Sequence, residues 1–215
     1  MGDDNLENLV QILVGMQMLG PQLKSTSVAE DFLYGTAVRV AHALSVEDEW
    51  DRVLAAWNAH EMLARRCAHA AEPSLKWSFL HQAALSNNET ACRALIRWGA
   101  KIDAEDAEGR SAIDIAKMVG HDEICGLLSE AAEYAVGPWA PPLDACCLPS
   151  SAAWDQAVRW TVPCFDRVYY GGVVVEISAG TKVWVDDFGR LLVGWRGSVD
   201  PPRNKEGRSL IAGQD

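Results

Sequence analysis

The sequence has no long apolar run and no surplus of positive charge. Residues 9–19 are its longest candidate for a membrane helix, but Gln11, Gly15 and Gln17 interrupt them, and a spanning helix needs roughly 18 to 20 apolar residues. The 215 residues carry a formal net charge of −11, so the field of the whole molecule repels phosphate backbones and anionic lipid surfaces. We therefore expect neither a membrane partner nor a nucleic-acid partner.

Motifs of catalysis and metal binding are also lacking. The six cysteines include no C-x-x-C pair, and the histidines lack the paired spacing of a zinc module. Asp187-Phe188-Gly189 spells the metal-binding tripeptide of protein kinases, but no glycine-rich phosphate loop or H-R-D motif accompanies it, so a hairpin turn is expected there. No set of nucleophile, base and orienting group is visible. We predict no enzyme, no metal site and no cofactor.

The first residues, Met1-Gly2-Asp3-Asp4-Asn5-Leu6, do not include the basic region that begins a secretory signal. We expect the protein in the cytoplasm, with the nucleus as the alternative. In such a reducing compartment a disulfide framework is not expected, and Cys92 and Cys125 are interpreted as small buried apolar residues.

What the sequence does have is helical periodicity in its first 74 residues. Leu6, Leu9, Val10 and Leu13 recur at helical intervals in a segment that Gly20-Pro21 should end. A second helix is predicted over residues 28–44. A third is predicted to begin near Ser45-Val46-Glu47-Asp48 and to run through Cys67 until Pro73.

Two stretches of the middle region repeat each other. Ser78, Leu80 and Ala83 recur 33 positions later as Ser111, Ile113 and Ala116. A second helix is predicted after each copy, over residues 91–96 and 123–128, so each copy should form a helix-turn-helix unit.

These units resemble the ankyrin repeat over residues 75–132. Leu80-His81-Gln82-Ala83-Ala84 is similar to the family's L-H-x-A-A, and residues 99–109 follow its G-A-x-(I/V)-(D/N)-A-x-(D/N)-x-x-G pattern. Phe79 and Ala112 depart from the family by standing where it prefers proline. The resemblance implies a structural role for His81, and a protein partner docked on the loops and first helices. The candidate partner-binding residues are Lys76, Ser78, Gln82, Ser86, Lys101, Glu105 and Arg110.

The last third of the chain no longer shows helical periodicity. Three prolines within residues 136–144 predict an extended linker. Residues 173–177, 181–186 and 190–195 are β-branched or aromatic runs separated by turn sequences, which predicts a small antiparallel meander. Its strand spacing resembles part of a Src-homology-type or Tudor-type barrel.

Aromatic residues of this meander allow a second function. The rings of Tyr169, Tyr170, Trp184 and Trp195 could form a cage for a cationic side chain such as methyl-lysine. Cross-strand aromatic pairs are also ordinary sheet stabilisers, and that interpretation is preferred.

We therefore predict an α+β protein with five segments: a helical cap over residues 1–74, with or without a degenerate repeat; ankyrin repeats over 75–135; a linker over 136–157; a β domain over 158–202; and a flexible tail over 203–215. The leading hypothesis is a non-catalytic adaptor that binds a protein through the repeats. A peptide or methyl-lysine reader is the alternative. An enzyme hidden in the N-terminal helices is a third hypothesis, and it requires a polar pocket near Trp50, Trp57 and His60.

Overall fold

The computed structural model describes residues 5–18, 27–209 and 211. Within these residues eight α-helices are followed by a six-stranded mixed sheet, which confirms the predicted α+β class. The helices are α1 Asn5–Met18, α2 Ser27–Val46, α3 Trp50–Ala59, α4 Glu61–His69, α5 Phe79–Leu85, α6 Glu89–Arg97, α7 Ala112–Val119 and α8 Asp122–Glu133. None of the helices in these ranges is long and apolar enough to cross a membrane.

The third predicted helix is two helices, because His60 leaves the helical conformation at φ −144° and ψ 92°. Its Nδ1 accepts a hydrogen bond from the Leu63 backbone N–H at 3.3 Å and so caps the start of α4. The predicted cap at Ser45 is also wrong, since α2 runs on to Val46 and Ser45 donates to the His42 carbonyl instead. The predicted stop at Gly20-Pro21 lies outside the described residues.

Aromatic side chains join the N-terminal helices to α5. Trp50 packs edge-to-face on Trp57 with ring centroids 6.2 Å apart, and Trp57 packs likewise on Phe79 at 5.8 Å. All three rings are almost fully buried. His60 is buried too, with the Tyr34 hydroxyl 3.4 Å from its Nε2. The space around these residues is packed core, not a polar pocket.

The pairs α5–α6 and α7–α8 begin in the same way. Ser78 caps α5 and accepts from the His81 backbone N–H, while Ser111 caps α7 and accepts from that of Asp114. In both caps the serine backbone N–H donates in turn to the side chain of the third helical residue, His81 or Asp114. Helix α5 contacts α7, and α4, α6 and α8 contact each other in sequence. The two pairs are therefore equivalent units stacked side by side.

Eight short strands are present in the described residues. They are β1 Ala71–Glu72, β2 Trp77–Ser78, β3 Leu148–Ser151, β4 Val158–Thr161, β5 Asp166–Tyr170, β6 Val173–Ile177, β7 Lys182–Val185 and β8 Leu191–Leu192. Strands β1 and β2 form a hairpin before α5, and the other six form a sheet in the order β4-β7-β8-β3-β5-β6.

This order differs from the predicted meander, because β6 and β7 are not neighbours. Strand β3, which lies in the stretch expected to be a linker, runs parallel to both β5 and β8 and separates them. Its four residues are all buried. Since parallel pairing joins segments that are distant along the chain, the spacing of turns could not reveal it.

The sheet packs on the side of the helical array formed by α4, α6 and α8. Arg65 of α4 forms a buried ion pair with Asp166 of β5, with 2.7 Å between Nη2 and Oδ1. Arg190, the last residue of the turn between β7 and β8, donates to the carbonyl of Ala131 in α8 at 3.0 Å. The Arg97 guanidinium of α6 lies 5.9 Å from the Trp160 ring centroid. One hydrophobic cluster runs through the helices and the sheet.

Candidate functional site

Away from the sheet, the β1–β2 hairpin and the loop between α6 and α7 stand next to each other. The Ala107 backbone N–H donates to the Leu75 carbonyl at 2.8 Å. Lys76 at the hairpin tip has φ +52°, and the Leu75 side chain is 53 % exposed. We call the hairpin, residues 98–111 and helices α5 and α7 the docking face.

The loop of the docking face is fixed by a five-residue turn from Asp106 to Arg110. Asp106 Oδ1 accepts from the backbone N–H groups of Glu108 and Arg110 at 2.9 and 2.8 Å, and the Arg110 Nε donates to Oδ2 at 2.8 Å. Burial alone would raise the pKa of Asp106, but the hydrogen bonds from Arg110 and Glu108 outweigh it and lower the pKa. The turn is therefore held by a carboxylate that stays charged.

His81 joins the loop to the hairpin. Its Nδ1 lies 2.7 Å from Ser78 Oγ, and its Nε2 lies 2.9 Å from the Arg110 carbonyl oxygen. Trp77 packs on the imidazole with ring centroids 5.1 Å apart and donates its indole N–H to Gln82 Oε1 at 3.1 Å. Both imidazole nitrogens are thus engaged, which supports the expected structural role.

A groove opens between α2, the hairpin and the Asp106 turn. Its larger part has a volume of about 370 Å³ and is lined by His42, Val46, Glu72, Leu75, Trp77, Gln82, Glu108 and Arg110. A smaller part of about 230 Å³ adjoins it and is lined by Val38, Arg39, His42, Ala70, Ala71, Glu72, Pro73 and Phe79. Because His42 and Glu72 line both parts, we treat them as one feature, the hairpin groove.

Two titratable side chains stand where the two parts of the hairpin groove meet. Burial lowers the pKa of His42, although the Glu72 carboxylate partly opposes this shift. Hydrogen bonds from the Ser74 hydroxyl and from the backbone lower the pKa of Glu72. At neutral pH the wall therefore presents a neutral imidazole and a carboxylate whose hydrogen bonds hold it in place.

The structure divides the predicted partner-binding residues into two groups. Lys76, Lys101 and Glu105 are exposed, and the Lys101 ammonium lies only 4.0 Å from a carboxylate oxygen of Asp103. The others are buried or half-buried and bond to their own chain. They are Ser78, Gln82, Ser86 and Arg110. Only Gln82 and Arg110 of the seven predicted residues line the hairpin groove.

The four rings of the hypothetical cage do not come together. Trp184 is buried on β7, where the Arg159 guanidinium already lies 5.0 Å from its ring centroid. Tyr169 and Tyr170 lie on β5, which β8 and β3 separate from β7. Trp195 is 79 % exposed in a short 3₁₀ turn after β8. The expected cross-strand arrangement of Trp184 and Trp195 is absent, because β8 ends at Leu192.

Several groove residues were missed from the sequence. Val46 and Leu75 are large apolar side chains that stay more than half exposed, and Trp77 is half-exposed. The available signal was the position of Leu75 between Ser74 and Lys76 in a turn, where an apolar residue has no core to enter.

No protein-family model, curated protein or solved structure matches this chain. Within the described ranges no group of three or more histidine, cysteine, aspartate or glutamate side chains is arranged to hold a metal ion.

Proposed function

We propose that the protein is a non-catalytic adaptor that binds another protein through its docking face. The stacked units α5–α6 and α7–α8 serve as ankyrin-type repeats, and the hairpin and the Asp106 turn project from them. Stacked helical units form a stiff surface, which limits the conformational entropy lost on binding.

The observation that carries this proposal is the division of the helical array into two sides. The sheet packs on α4, α6 and α8 through Arg65, Arg97 and Arg190. On the docking face, by contrast, Leu75 and Met118 are 53 % and 62 % exposed. Apolar side chains that stay exposed on such a face can contribute to an interaction surface.

The cytoplasm is the compartment we propose for this binding. All six cysteines are free, including the exposed Cys146 and Cys164, as expected where thiols are kept reduced.

The test is affinity capture from cells with two variants of matched chemistry. The first replaces Lys76, Lys101 and Glu105 of the docking face by alanine; the second replaces Lys182, Lys205 and Glu206, which are exposed on the β region. Arg110 is left intact because its guanidinium holds the Asp106 turn. We expect the first variant to lose the captured partner and the second to keep it. Equal capture by both would contradict the proposal.

A further inference from the structure

The hairpin groove is an open groove rather than a closed pocket. Val38, His42 and Val46 follow each other at four-residue intervals along one face of α2 and line it from end to end. The two adjoining volumes could each hold a side chain. In an extended peptide, residues i and i+2 point the same way about 7 Å apart, so one segment could fill both.

The walls of the larger part are apolar where a side chain would enter. Val46 is 58 % exposed and Leu75 is 53 % exposed on opposite sides of the groove. The half-exposed indole of Trp77 also lines this part, and it donates a hydrogen bond to Gln82. Such a site favours an apolar anchor on the ligand.

A run of exposed acidic residues follows the Val46 end of the groove. Glu47, Asp48 and Glu49 directly follow Val46 and are all exposed. The Arg110 guanidinium does not offset them, because it forms ion pairs with Asp106 at 2.7 Å and Glu108 at 2.9 Å. Among the described residues, two exposed cations are Arg39 in the lining of the smaller part and Lys76 at the hairpin tip. The Val46 end therefore attracts a cationic ligand.

Resting on the proposed function, we infer that the hairpin groove binds an extended basic segment of the partner protein. An apolar side chain of that segment enters between Val46, Leu75 and Trp77. Lysine or arginine side chains next to the anchor face Glu47 and Glu49.

The experiment uses the full chain and three fluorescein-labelled ten-residue peptides. The first has two leucines separated by one residue and flanked by lysines, the second has glutamates in place of the lysines, and the third has serines in place of the leucines. Anisotropy gives the affinities, and the NMR signal of the Trp77 indole N–H reports contact in the groove. We expect the first peptide to bind at least about tenfold more tightly than the other two and to shift the Trp77 signal.

Two pairs of variants distinguish peptide binding in the groove from general electrostatic attraction to an acidic protein. Leu75→Ser should weaken the first peptide about tenfold through loss of apolar contact, whereas Leu143→Ser, at a side chain that is 96 % exposed and does not line the groove, should not. Removing two charges by Glu47→Gln with Glu49→Gln should weaken it about fivefold. Removing two by Asp187→Asn with Glu206→Gln should have less effect.

The inference is overturned if the acidic peptide binds as tightly as the basic one, or if Leu75→Ser and Leu143→Ser behave alike. The capture experiment with Lys76, Lys101 and Glu105 uses no peptide, so its result is independent of the peptide measurements. If the capture variant loses the partner but the three peptides bind with equal affinity, only the basic ligand is refuted. Failure of both experiments would refute the docking face as well.

Discussion

Two turns of the same sequence type have different surroundings in this molecule. Asp106-Ala107-Glu108-Gly109-Arg110 belongs to the docking face, and Asp186-Asp187-Phe188-Gly189-Arg190 joins β7 to β8. In both, the aspartate Oδ1 accepts from two backbone N–H groups while Oδ2 accepts from the arginine Nε at 2.8 Å. The backbone bonds between first and fifth residues also match.

What differs is the exposure of the arginine. The Arg110 side chain is 38 % exposed, and it also pairs with Glu108 at the surface. The Arg190 side chain is only 3 % exposed, and it crosses to the Ala131 carbonyl of α8. The same local hydrogen bonds thus support a projecting loop in one place and an attachment between the sheet and the helices in the other. The local sequence determines the geometry of the turn, and the burial of its arginine determines how much the turn contributes to the stability of the fold.

The largest effect should follow from Asp186→Asn. The asparagine oxygen can still accept from the Phe188 and Arg190 backbone N–H groups, but the Arg190 charge is left buried without a counter-ion. Breaking a buried ion pair in this way costs roughly 3 to 5 kcal/mol. Urea denaturation of the variant should show a free energy of unfolding lower by about that amount.

The matched control is Asp106→Asn in the twin turn. Water can solvate the partly exposed Arg110 there, so we expect a clearly smaller loss than for Asp186→Asn. Equal losses would mean that the turn itself, and not the burial of its arginine, accounts for the stabilisation.

The Asp106 turn should make the stability of the fold depend on pH in the acidic range. The pKa of Asp106 is lowered in the folded state, the hydrogen bonds from Arg110 and Glu108 outweighing burial, which acts in the opposite direction. The carboxylate therefore stabilises the fold fully above the ordinary aspartate pKa of about 3.9, and this contribution disappears as the pH falls through the lowered value. Denaturation curves of wild type and Asp106→Asn should converge below about pH 4. A constant difference down to pH 2 would contradict this cause.

The glycines of the two turns provide a third comparison. Gly109 and Gly189 have φ +76° and +77°, where a side chain costs about 1 to 2 kcal/mol. A Cβ added to Gly109 meets nothing within 4 Å, but one added to Gly189 lies 3.3 Å from Arg97 Cδ. Gly189→Ala should therefore lower the melting temperature more than Gly109→Ala. The reverse order would place the packing of the sheet on α6 in doubt.

Sequence patterns predict the local part of this fold well. The second helices predicted over residues 91–96 and 123–128 are present as α6 and α8, and helix α2 lies within two residues of its predicted bounds. These features depend on spacing within a few residues, which periodicity and capping rules can detect. The ankyrin assignment itself stays a prediction.

Features that depend on distant residues could not be predicted in this way. Strand β3 pairs with β5 and β8, which are not its neighbours in sequence, and no turn sequence indicates this pairing. The hairpin groove combines Val46 of α2 with Leu75 and Arg110, three residues without a shared motif. The hairpin turn predicted at residues 187–189 is present between the antiparallel strands β7 and β8, but the short motif does not show that its arginine is buried against α8.

The smallest effect should come from a third turn, Asn204-Lys205-Glu206-Gly207-Arg208. Asn204 Oδ1 accepts from the backbone N–H groups of Glu206 and Arg208 at 3.0 and 2.9 Å, as the aspartates do in the other two turns. Asn204→Asp would complete the motif with a carboxylate facing Arg208, whose side chain is exposed. Because an exposed ion pair contributes little, the free energy of unfolding should change by less than about 0.5 kcal/mol. An increase in the free energy of unfolding well above that value would show that the ion pair stabilises this turn without burial. The loss of stability in Asp186→Asn could then be explained without the burial of Arg190.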